Sequence, residues 1–385
     1  MRPAINHKLA PFGTTIFTEM TRLAQLHGAV NLAQGFPDFD GPEFAKEAAI
    51  RAIREGHGQY ARMSGTPELA RVLSAKYRRD YGLDYEPDSE ITVTSGATEA
   101  IFSALQGICE PGDAVVLFEP YYDSYRAAVA MAGATPRFVT LEGPGWTFDL
   151  EQVDRAAQEG GRAILLNTPH NPTGKVFSRE ELESIAEICR KRDLICITDE
   201  VYEHIVYDGE HVAMASLSGM RERTITISSF GKTFSLTGWK IGWAAAPHSL
   251  SAAVRAAHQF VTFATATPLQ HGAAVALSTG TDYYRLLRDA YRGKRDYLVQ
   301  QLAAIGFRVS PPAGTYYVCA DFRPLGFEDD VAFCRRLIEE IGVAAIPPSV
   351  FYEHPEKGRQ YARFAFCKRD ETLQTAVARL GRLCA

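Results

Sequence analysis

Two lysines lie eight positions apart in a stretch without acidic residues, SSFGKTFSLTGWKIGW, which covers residues 228–243. Lysines usually belong to wet surfaces of mixed charge, whereas the neighbours of Lys232 and Lys240 are apolar residues, glycines and small hydroxyl residues. A lysine sheltered from water loses hydration and becomes a better amine nucleophile, suited to imine formation with an aldehyde. We therefore interpret Lys232 as an amine that reacts with a carbonyl group and Lys240 as the counter-charge of an anion.

A glycine turn at the start of a predicted helix, in the sequence TSGATEA, has the form of a phosphate site. Backbone amides at a helix N-terminus bind anions, and Gly96, Ala97 and Thr98 would present such amides together with one hydroxyl. Ser229, at the end of a later strand, would add a second hydroxyl donor. Lys240 would place its positive charge opposite the phosphate dianion.

Three residues that follow other strands have side chains suited to an aromatic heterocycle: Asn171 in NTPHNPTG, and Asp199 and Tyr202 in ITDEVYEH. A carboxylate such as that of Asp199, aimed at a pyridine nitrogen, keeps the ring protonated and makes it an electron sink. Asn171 and Tyr202 would hydrogen-bond a phenolic oxygen on the same ring. An aldehyde, a phosphate and a pyridinium together describe pyridoxal phosphate, which we therefore predict as the cofactor.

An aromatic side chain is expected to stack on the cofactor ring, and the segment EPYYDSY offers three tyrosines for that position. Tyr122 is the predicted stacking residue. Nothing in the local sequence separates it from its two neighbours, so Tyr121 and Tyr125 remain alternatives for the same role.

These candidate residues follow short apolar runs that alternate with amphipathic segments between about residues 90 and 245. Strand–helix alternation on this scale predicts a mainly parallel sheet with helices on both faces, which is a three-layer α/β fold. In such a sheet, ligands bind at the carboxyl ends of the strands. The predicted strands are 90–95, 113–120, 135–141, 162–169, 193–200, 223–230 and 240–247.

The pattern changes after the last of these strands. Residues 249–304 are predicted to be mostly helical, and the segments TYYVCADF and YARFAFCK predict two strands of a smaller α+β domain with flanking helices. We expect an N-terminal arm that contributes to the small domain in residues 1–40, a large cofactor-binding domain in 41–280 and a small C-terminal domain in 281–385.

The bulk composition limits the classes of function. A chain of 385 residues with 46% hydrophobic and 23% charged residues is expected to form a globular protein of two domains. Its formal net charge of -5, without a basic run, argues against nucleic-acid and membrane partners. The seven cysteines are scattered and the ten histidines lack the spacing of metal ligands, so reduced thiols and no metal are predicted. Because the start lacks a signal-like apolar stretch, a cytoplasmic location is expected.

Longer motifs resemble one known family. The segments SSFGKTFSLTGWKIGW, NTPHNPTGKVF, ITDEVYEH and NLAQGFPDFDGP resemble the signatures of class I aminotransferases, which belong to the fold-type I pyridoxal phosphate superfamily. Within it, GTTIFTEM, TVTSGATEA, SVFYEHP and YARFAFCKRDETL are similar to the methionine and aromatic aminotransferase branch, near the kynurenine–glutamine transaminases. The similarity extends from about residue 10 to the C-terminus.

The resemblance implies a homodimer in which each active site lies between the two domains and is completed by the neighbouring subunit. Lys232 would form the Schiff base and shuttle the proton, and Asp199 would pair with the pyridine nitrogen. Arg363, in YARFAF, would bind the substrate α-carboxylate with help from the Gly35 backbone. Tyr60, in GQYARMSG, would reach the phosphate bound to the partner subunit.

The predicted reaction is ping-pong transfer of an amino group from an L-amino acid to a 2-oxo acid. Phe17, Tyr60, Tyr122 and Phe263 would line an apolar pocket suited to a methionine-like or aromatic donor, and Asn171 would also contact the substrate. A carbon–sulfur β-lyase begins with the same loss of the α-proton and remains an alternative, as do kynurenine, glutamine and succinyl-diaminopimelate as donors. A non-catalytic ligand sensor of a transcription regulator would carry a DNA-binding domain, for which no room is expected ahead of residue 30.

Overall fold

The computed structural model describes residues 4–158 and 160–384. Within these ranges helices and strands alternate through most of the chain, as the sequence predicts. In chain order the strands are β1 (Val30–Asn31), β2 (Ile91–Thr94), β3 (Ala114–Glu119), β4 (Thr135–Thr140), β5 (Gly161–Asn167), β6 (Ile195–Asp199), β7 (Thr224–Ser229), β8 (Gly242–Ala245), β9 (Arg308–Val309), β10 (Tyr317–Asp321), β11 (Val343–Ala344) and β12 (Tyr361–Ala365). The helices are α1 (Ile16–Leu26), α2 (Glu43–Arg54), α3 (Pro67–Tyr81), α4 (Pro87–Glu90), α5 (Ala97–Ile108), α6 (Asp123–Ala132), α7 (Leu150–Gln158), α8 (Arg179–Arg192), α9 (Phe230–Thr233), α10 (His248–Val261), α11 (Thr267–Leu277), α12 (Thr281–Ile305), α13 (Asp330–Arg336) and α14 (Asp370–Leu380).

Seven of the strands in the described ranges form one central sheet in the order β2-β8-β7-β6-β5-β3-β4. The pairs β3–β4, β3–β5, β5–β6 and β6–β7 are parallel, so the prediction of a mainly parallel sheet is confirmed. The exception is β8, which runs antiparallel to both β2 and β7. The connection from β7 to β8 holds only the single turn α9 and a 3-10 turn, and it returns the chain beside β7 in the opposite direction.

Helices cover both faces of the sheet, which makes the three-layer arrangement that the alternating pattern predicts. Successive residues of a strand point to opposite faces. In β3, Val115 and Leu117 pack in one apolar cluster with residues of α5, α6 and α10. Val116 and Phe118 pack in a second cluster with α7 and α8 on the other face. Because both faces are buried, the sequence of β3 is an almost continuous apolar run.

Local signals set individual helix boundaries, and α8 shows this most directly. The hydroxyl of Ser178 accepts the backbone N–H of Glu181, while the Glu181 carboxylate accepts the backbone N–H of Ser178. This reciprocal pair is the capping box that the spacing of the two residues predicts. It fixes the start of α8 and thereby the end of the loop that follows β5.

The C-terminal part forms a second region on a small antiparallel sheet, in which β10 lies between β9 and β12. Residues of α12, α13 and α14 pack with this sheet in one apolar cluster. The N-terminal segment joins the same region, because β1 pairs in parallel with β11 and places Val30 opposite Val343. The N-terminal arm thus contacts the C-terminal region, while the domain boundaries near residues 40 and 280 stay a prediction.

Six of the seven cysteines have side chains in the described part of the chain, where they are buried and free of disulfides. Across residues 4–158 and 160–384, no helix combines the length and the apolar character that crossing a membrane requires. The same ranges contain no group of three or more His, Cys, Asp or Glu side chains arranged to hold a metal ion.

Candidate active site

A cleft of about 430 Å³ lies where β5, β6 and β7 end and where α5 begins. This is the carboxyl edge of parallel strands, the position at which open α/β sheets bind ligands. The predicted site residues that line it are Phe17, Gly35, Gly96, Ala97, Thr98, Tyr122, Asn171, Asp199, Tyr202, Ser229, Lys232 and Lys240. Three predicted residues do not line the cleft: Arg363 lies behind two rings of its wall, and Tyr60 and Phe263 lie outside it.

Lys232 lies on the single helical turn α9, directly after β7, and its side chain is half-buried. Its Nζ atom stands over the ring of Tyr202, at 5.7 Å from the centroid, and over that of Tyr316, at 5.8 Å. Among the residues that the structure describes, this amine forms no hydrogen bond or ion pair. A lysine amine with aromatic walls and no polar partner is available to react with a carbonyl group or to accept a proton.

Asp199 ends β6 and is 5% exposed. Its Oδ2 accepts a hydrogen bond of 2.5 Å from the hydroxyl of Tyr125, and its Oδ1 accepts one of 3.3 Å from the backbone N–H of Val201. Burial raises the pKa of this carboxyl to about 6, against the lowering effects of the Tyr125 hydrogen bond and the Lys232 charge. A positively charged ligand in the cleft would therefore stabilise the ionised form of Asp199.

A pair of asparagines connects the loops that follow β5 and β6. Asn167 donates from Nδ2 to the carbonyl oxygen of Asp199 at 2.8 Å, and its Oδ1 accepts the backbone N–H of Asn171 at 2.7 Å. The side-chain oxygen of Asn171 accepts a hydrogen bond from Arg363 at 2.9 Å. The sequence predicts a role for Asn171 and none for Asn167, although Asn167 begins the same NTPHNPTG segment and ends β5 in the structure.

Arg363, on β12, is 1% exposed and forms no ion pair within the described residues. Nη1 donates to Asn171 and Nη2 donates to the carbonyl of Ala33 at 2.8 Å, while Nε has no hydrogen-bond partner there. The guanidinium carbon lies 4.2 Å from the ring centroid of Tyr317 and 5.2 Å from that of Phe17. Both rings line the cleft, so they lie between the guanidinium and the cavity.

The predicted phosphate site lies at the start of α5, where the backbone N–H of Gly96 donates to the carbonyl of Thr94 at 2.8 Å and is not free for a ligand. Gly96 has a φ of +81°, in the left-handed region that favours glycine, and α5 begins at the next residue. A Cβ atom at Gly96 would lie 3.0 Å from Lys240 Nζ, so the ammonium group lies close to the turn. Thr98 is exposed in the first turn of α5. Ser229 precedes α9 without a side-chain capping bond, which leaves its hydroxyl for a ligand.

Lys240 differs from expectation in its exposure. The apolar sequence around it predicts a sheltered side chain, whereas Lys240 is exposed in the single chain and lines the cleft. Its φ of 55° ends the 3-10 turn Thr237–Trp239 and directs the backbone into β8. The side chain consequently reaches back towards Gly96 and not into the apolar core.

Of the three tyrosines in EPYYDSY, Tyr122 and Tyr125 line the cleft and Tyr121 does not. Tyr121 is stacked on Phe138 with ring centroids 5.4 Å apart. Tyr125 is buried, and its hydroxyl is bonded to Asp199. Tyr122 is half-buried, so its ring is the one that remains available for stacking on a ligand. Sequence reasoning missed the contact of Tyr125 with the carboxylate, for which the local sequence holds no signal.

Tyr60 and Phe263 lie outside the cleft of their own chain. Their place in a side-chain pocket would therefore require a second chain and stays a prediction. Tyr60 is 85% exposed and meets Phe263 edge to face, with 5.6 Å between ring centroids. Both rings are exposed on the surface of the single chain. The contact of Tyr60 with the phosphate of a partner subunit involves a second chain and stays a prediction.

The arrangement fits pyridoxal phosphate in three respects. Lys232, an amine without a polar partner, shares the cleft with Asp199, a buried carboxylate that a positive partner would stabilise. The turn at Gly96, the start of α5 and the ammonium of Lys240 lie close together in the same cleft, where they would suit an anion. These are the groups that an aldehyde, a pyridinium and a phosphate require.

Comparison with known proteins assigns the chain to a family. A sequence profile described as aminotransferase class I and II matches residues 28–380. The chain is 48% identical to a probable N-succinyldiaminopimelate aminotransferase, DapC, of Mycobacterium tuberculosis, and the match covers 98% of both chains. It is 41% identical to the methionine aminotransferase of Escherichia coli, over 98% of this chain and 97% of that relative. Kynurenine–oxoglutarate transaminases are among the further relatives.

The fold agrees with this assignment. The solved structure of N-succinyldiaminopimelate aminotransferase from Mycobacterium tuberculosis matches with a TM-score of 0.96 and 48% sequence identity, over 99% of this chain and 100% of that one. The resemblance to class I aminotransferases and to their methionine and kynurenine branch is thus confirmed. This chain belongs to the class I and II aminotransferases, a family of transferases that use pyridoxal phosphate as their cofactor.

Proposed function

We propose that this protein transfers the amino group of an L-amino acid with a methionine-like or aromatic side chain to a 2-oxo acid. The observation that carries the proposal is the unpaired amine of Lys232 in a cleft that also holds the Asp199 carboxylate. Transamination needs one group that bonds a carbonyl and moves a proton, and another that stabilises a protonated ring nitrogen. The two half-reactions would use this one site in a ping-pong sequence.

When bound, pyridoxal phosphate supplies an aldehyde that condenses with amines and a pyridinium ring that withdraws electrons. Lys232 Nζ would bind the aldehyde and, once free, would accept the proton that leaves the substrate α-carbon. Asp199 would hold the positive charge of the ring nitrogen opposite its carboxylate. Tyr202, whose hydroxyl lies 3.4 Å from that of Tyr317, would share with Asn171 the hydrogen bonds to the phenolic oxygen.

The phosphate group would be bound by backbone amides and by two side chains with free donors. The N–H of Gly96 is bonded to the carbonyl of Thr94 at 2.8 Å, so the amides at the start of α5, those of Ala97 and Thr98, would bind the dianion. The aligned peptide dipoles of the helix favour a negative charge there. Ser229 would contribute its hydroxyl, and Lys240 would neutralise part of the charge. Tyr122 would cover one face of the ring.

The α-carboxylate of the donor would be bound by Arg363, whose positive charge has no acidic partner in the described part of the chain. Its contacts with Asn171 and with the carbonyl of Ala33 are to neutral acceptors, so the charge remains available. A carboxylate matches the planar fork of a guanidinium. The backbone of Gly35, which also lines the cleft, would support the same group.

The donor side chain is expected to be apolar because of the residues around its place in the cleft. Phe17, Phe36, Tyr122 and Tyr317 line this part of the cavity. The only cations among the described lining residues are Lys232 and Lys240, and both have proposed roles towards the cofactor. A donor with a charged side chain would lack a counter-charge there, whereas a thioether or an aromatic ring would bury apolar surface.

A second candidate donor is N-succinyldiaminopimelate, favoured by the 48% identity with a relative that carries this compound in its name. Its side chain ends in a carboxylate, which would require a cation beyond the two lysines of the cleft. A neighbouring subunit could supply that cation. Similarity supports this candidate, and the lining of the cleft supports the apolar donor.

The enzyme is proposed to act as a homodimer. Large apolar side chains close in sequence to Tyr60 and to Phe263 are exposed. They include Ile53 at 61%, Phe260 at 86% and Val261 at 51%. Exposed apolar groups of this size are typical of contact surfaces between proteins. A second copy of the chain is the proposed partner, and the exposed ring of Tyr60 is the proposed link to its phosphate.

A panel of amino donors tests the proposed reaction. The holoenzyme would be supplied with methionine, phenylalanine, tyrosine, kynurenine, glutamine, aspartate or N-succinyldiaminopimelate against several 2-oxo acids, and oxo-acid formation would be measured. Lys232→Ala is the control, because it keeps the cleft and removes the reactive amine. We expect the highest kcat/KM with methionine or an aromatic donor and no transamination by the control.

Other results of this panel would change the proposal. A kcat/KM for N-succinyldiaminopimelate that exceeds every apolar donor would replace the first candidate with the second. Release of pyruvate and ammonia from a cysteine conjugate, without any oxo acid, would indicate a carbon–sulfur β-lyase. Absence of turnover with all donors would refute catalysis by this cleft.

Shared active sites can be tested by mixing two inactive variants. A dimer of one Lys232→Ala chain and one Tyr60→Ala chain would contain one site with both native residues if Tyr60 acts across the interface. Activity is therefore expected to return when the two chains are refolded together. If the mixture stays inactive, or if the protein sediments as a monomer, the proposed sharing is wrong.

A further inference from the structure

The side chain of Asp199 lies in an environment that favours its protonated form. It is buried, and burial disfavours a charge. Glu200 adds a like charge nearby, and the ammonium of Lys232 attracts it without forming an ion pair. The groups that face it from the neighbouring elements are Tyr122 and Tyr125 at the start of α6, Glu200 and Tyr202 after β6, and Lys232 on α9. The role proposed for Asp199 requires an ionised carboxylate, so another group must favour that form.

Tyr125 supplies a side-chain hydrogen bond to this carboxylate, from its hydroxyl to Oδ2 at 2.5 Å. The ring is held in the first turn of α6, where its backbone N–H is bonded to the carbonyl of Tyr122. It packs edge to face on the Tyr122 ring, with 5.6 Å between centroids and 76° between planes. The hydroxyl is therefore fixed, and Oδ1, which has the longer contact of 3.3 Å with Val201, is the oxygen left for a ligand.

We propose that Tyr125 is a positioning residue that keeps Asp199 a carboxylate and so keeps the proton on the ring nitrogen of the bound cofactor. Its O–H donates to Oδ2 and stabilises the negative charge, while Oδ1 accepts from the nitrogen. Without the hydroxyl, the shared proton passes from the nitrogen to Asp199, which leaves a neutral acid beside a neutral pyridine. This inference rests on the proposed pairing of Asp199 with that nitrogen.

The consequence for the reaction is a weaker electron sink. A neutral pyridine accepts less of the charge that develops when the α-proton leaves, so the loss of one hydrogen bond would appear in turnover. A hydrogen bond to a charged group accounts for a factor of about 10–100. Replacement of Tyr125 by Phe keeps the ring that packs on Tyr122 and removes only the donor.

The test is Tyr125→Phe in the holoenzyme reconstituted with cofactor labelled with nitrogen-15 in the ring. The wild type is expected to show the chemical shift of a protonated pyridine. In Tyr125→Phe the resonance moves towards that of an unprotonated pyridine, the cofactor dissociates more easily, and kcat falls about 10–100-fold. The free energy of unfolding of the apoprotein serves as a check that the variant is folded.

Tyr121→Phe is the matched control, because Tyr121 is equally buried beside α6, lies outside the cleft and has its hydroxyl 3.4 Å from Arg126. Its nitrogen-15 shift should equal that of the wild type. An unchanged shift in Tyr125→Phe, with a protonated wild type, would overturn the role of Tyr125 and leave the proposed function intact. An unprotonated ring in the wild type would overturn both the role of Asp199 and that of Tyr125. An equal change in Tyr121→Phe would assign the effect to general packing and overturn the inference.

Discussion

Two polar clusters receive side chains from residues 199–205, and they differ in how their charges are compensated. Asp199 and Lys232 line the cleft, whereas Glu203, four residues after Asp199, belongs to a second cluster outside it. We call this second group the ionic cluster; it consists of Lys76, Asp80, Tyr81, Glu203 and Ser228.

Every charge of the ionic cluster has a close partner. Lys76 Nζ lies 2.5 Å from Glu203 Oε2 and 3.3 Å from Asp80 Oδ2, with side-chain exposures of 1% for Lys76 and 3% for Glu203. The hydroxyl of Ser228 donates to Glu203 Oε1 at 2.8 Å, and that of Tyr81 donates to Oε2. Burial alone would raise the pKa of Glu203, but the Lys76 ammonium holds it well below its usual range.

The cleft keeps its charges without such partners. Lys232 and Arg363 form no ion pair in the described part of the chain, and the carboxyl of Asp199 has its pKa raised to about 6 by burial. An uncompensated buried charge costs stability, so its presence indicates that a ligand supplies the missing partner. The charged residues of the ionic cluster therefore stabilise the fold, whereas those of the cleft are left to pair with a cofactor or a substrate.

The difference between the two clusters is tested most directly by making the same substitution, Lys to Met, in each of them. Lys232→Met should lower kcat by about 10⁴-fold, because a positioned proton-transfer group contributes up to that factor. The same change should leave the free energy of unfolding of the apoprotein unchanged or slightly higher, since no polar partner is lost. Oxo-acid formation and urea denaturation measure the two effects. A clear loss of stability in Lys232→Met would contradict the distinction between the two clusters.

Lys76→Met is the counterpart in the ionic cluster. Removing one member of a buried pair leaves the Glu203 carboxylate uncompensated, which should cost about 3–5 kcal/mol of unfolding free energy. The double variant Lys76→Met/Glu203→Gln should recover much of this loss, because no buried charge remains. The activity of the folded fraction should stay within a few-fold of the wild type. If the single and double variants are equally unstable, the pair is not what stabilises this region.

The cleft side of this comparison was largely accessible from the sequence, and the ionic cluster was not. Residues at the carboxyl ends of parallel strands share one edge of a sheet, so Asn171, Asp199 and Lys232 could be placed together from local patterns. Lys76 and Glu203 are 127 residues apart, and no local pattern connects them. The same holds for Tyr125, which is 74 residues from Asp199.

The exposure of Tyr60, Phe263 and Lys240 depends on geometry that the sequence does not show. Tyr60 and Phe263 are exposed in the single chain, and whether they line a side-chain pocket depends on packing between subunits, which the local sequence does not report. Lys240 was expected to be sheltered from the apolar character of its neighbours. The structure gives Lys240 a positive φ and places its side chain at the cleft beside Gly96, and composition does not report the sign of a dihedral angle.

A smaller effect than that of Lys76→Met is expected from a substitution of Arg363, the proposed binding residue of the substrate carboxylate. Arg363→Lys retains the charge and loses the planar fork, so the KM for the amino donor should rise about 10–100-fold, the factor of a charged hydrogen bond. The kcat at saturating donor should change less, because Arg363 does not contact the reacting carbon in this proposal. Steady-state kinetics with the preferred donor measure both constants. An unchanged KM would remove Arg363 from the substrate site.

The smallest effect concerns the pH dependence of stability near the ionic cluster. The ring of His204 is stacked on Tyr284, with 3.8 Å between centroids and 5° between planes. Burial lowers the pKa of His204 to about 4, against the attraction of Glu203. The unfolded chain therefore binds more protons than the folded one between about pH 4 and the ordinary histidine pKa of about 6.5, so stability must fall as the pH falls through this window.

His204→Phe keeps the aromatic stack and removes the titration. Between pH 7 and pH 5 the wild-type apoprotein should lose about 1–2 kcal/mol more unfolding free energy than His204→Phe. Asp199 and Asp330, whose pKa values burial raises to about 6, act in the opposite direction, but both proteins contain them and their effect cancels in the difference. Urea denaturation at the two pH values gives the comparison. Equal losses of unfolding free energy in the two proteins would show that His204 is already protonated in the folded protein. Its positive charge would then lie beside the Glu203 carboxylate of the ionic cluster.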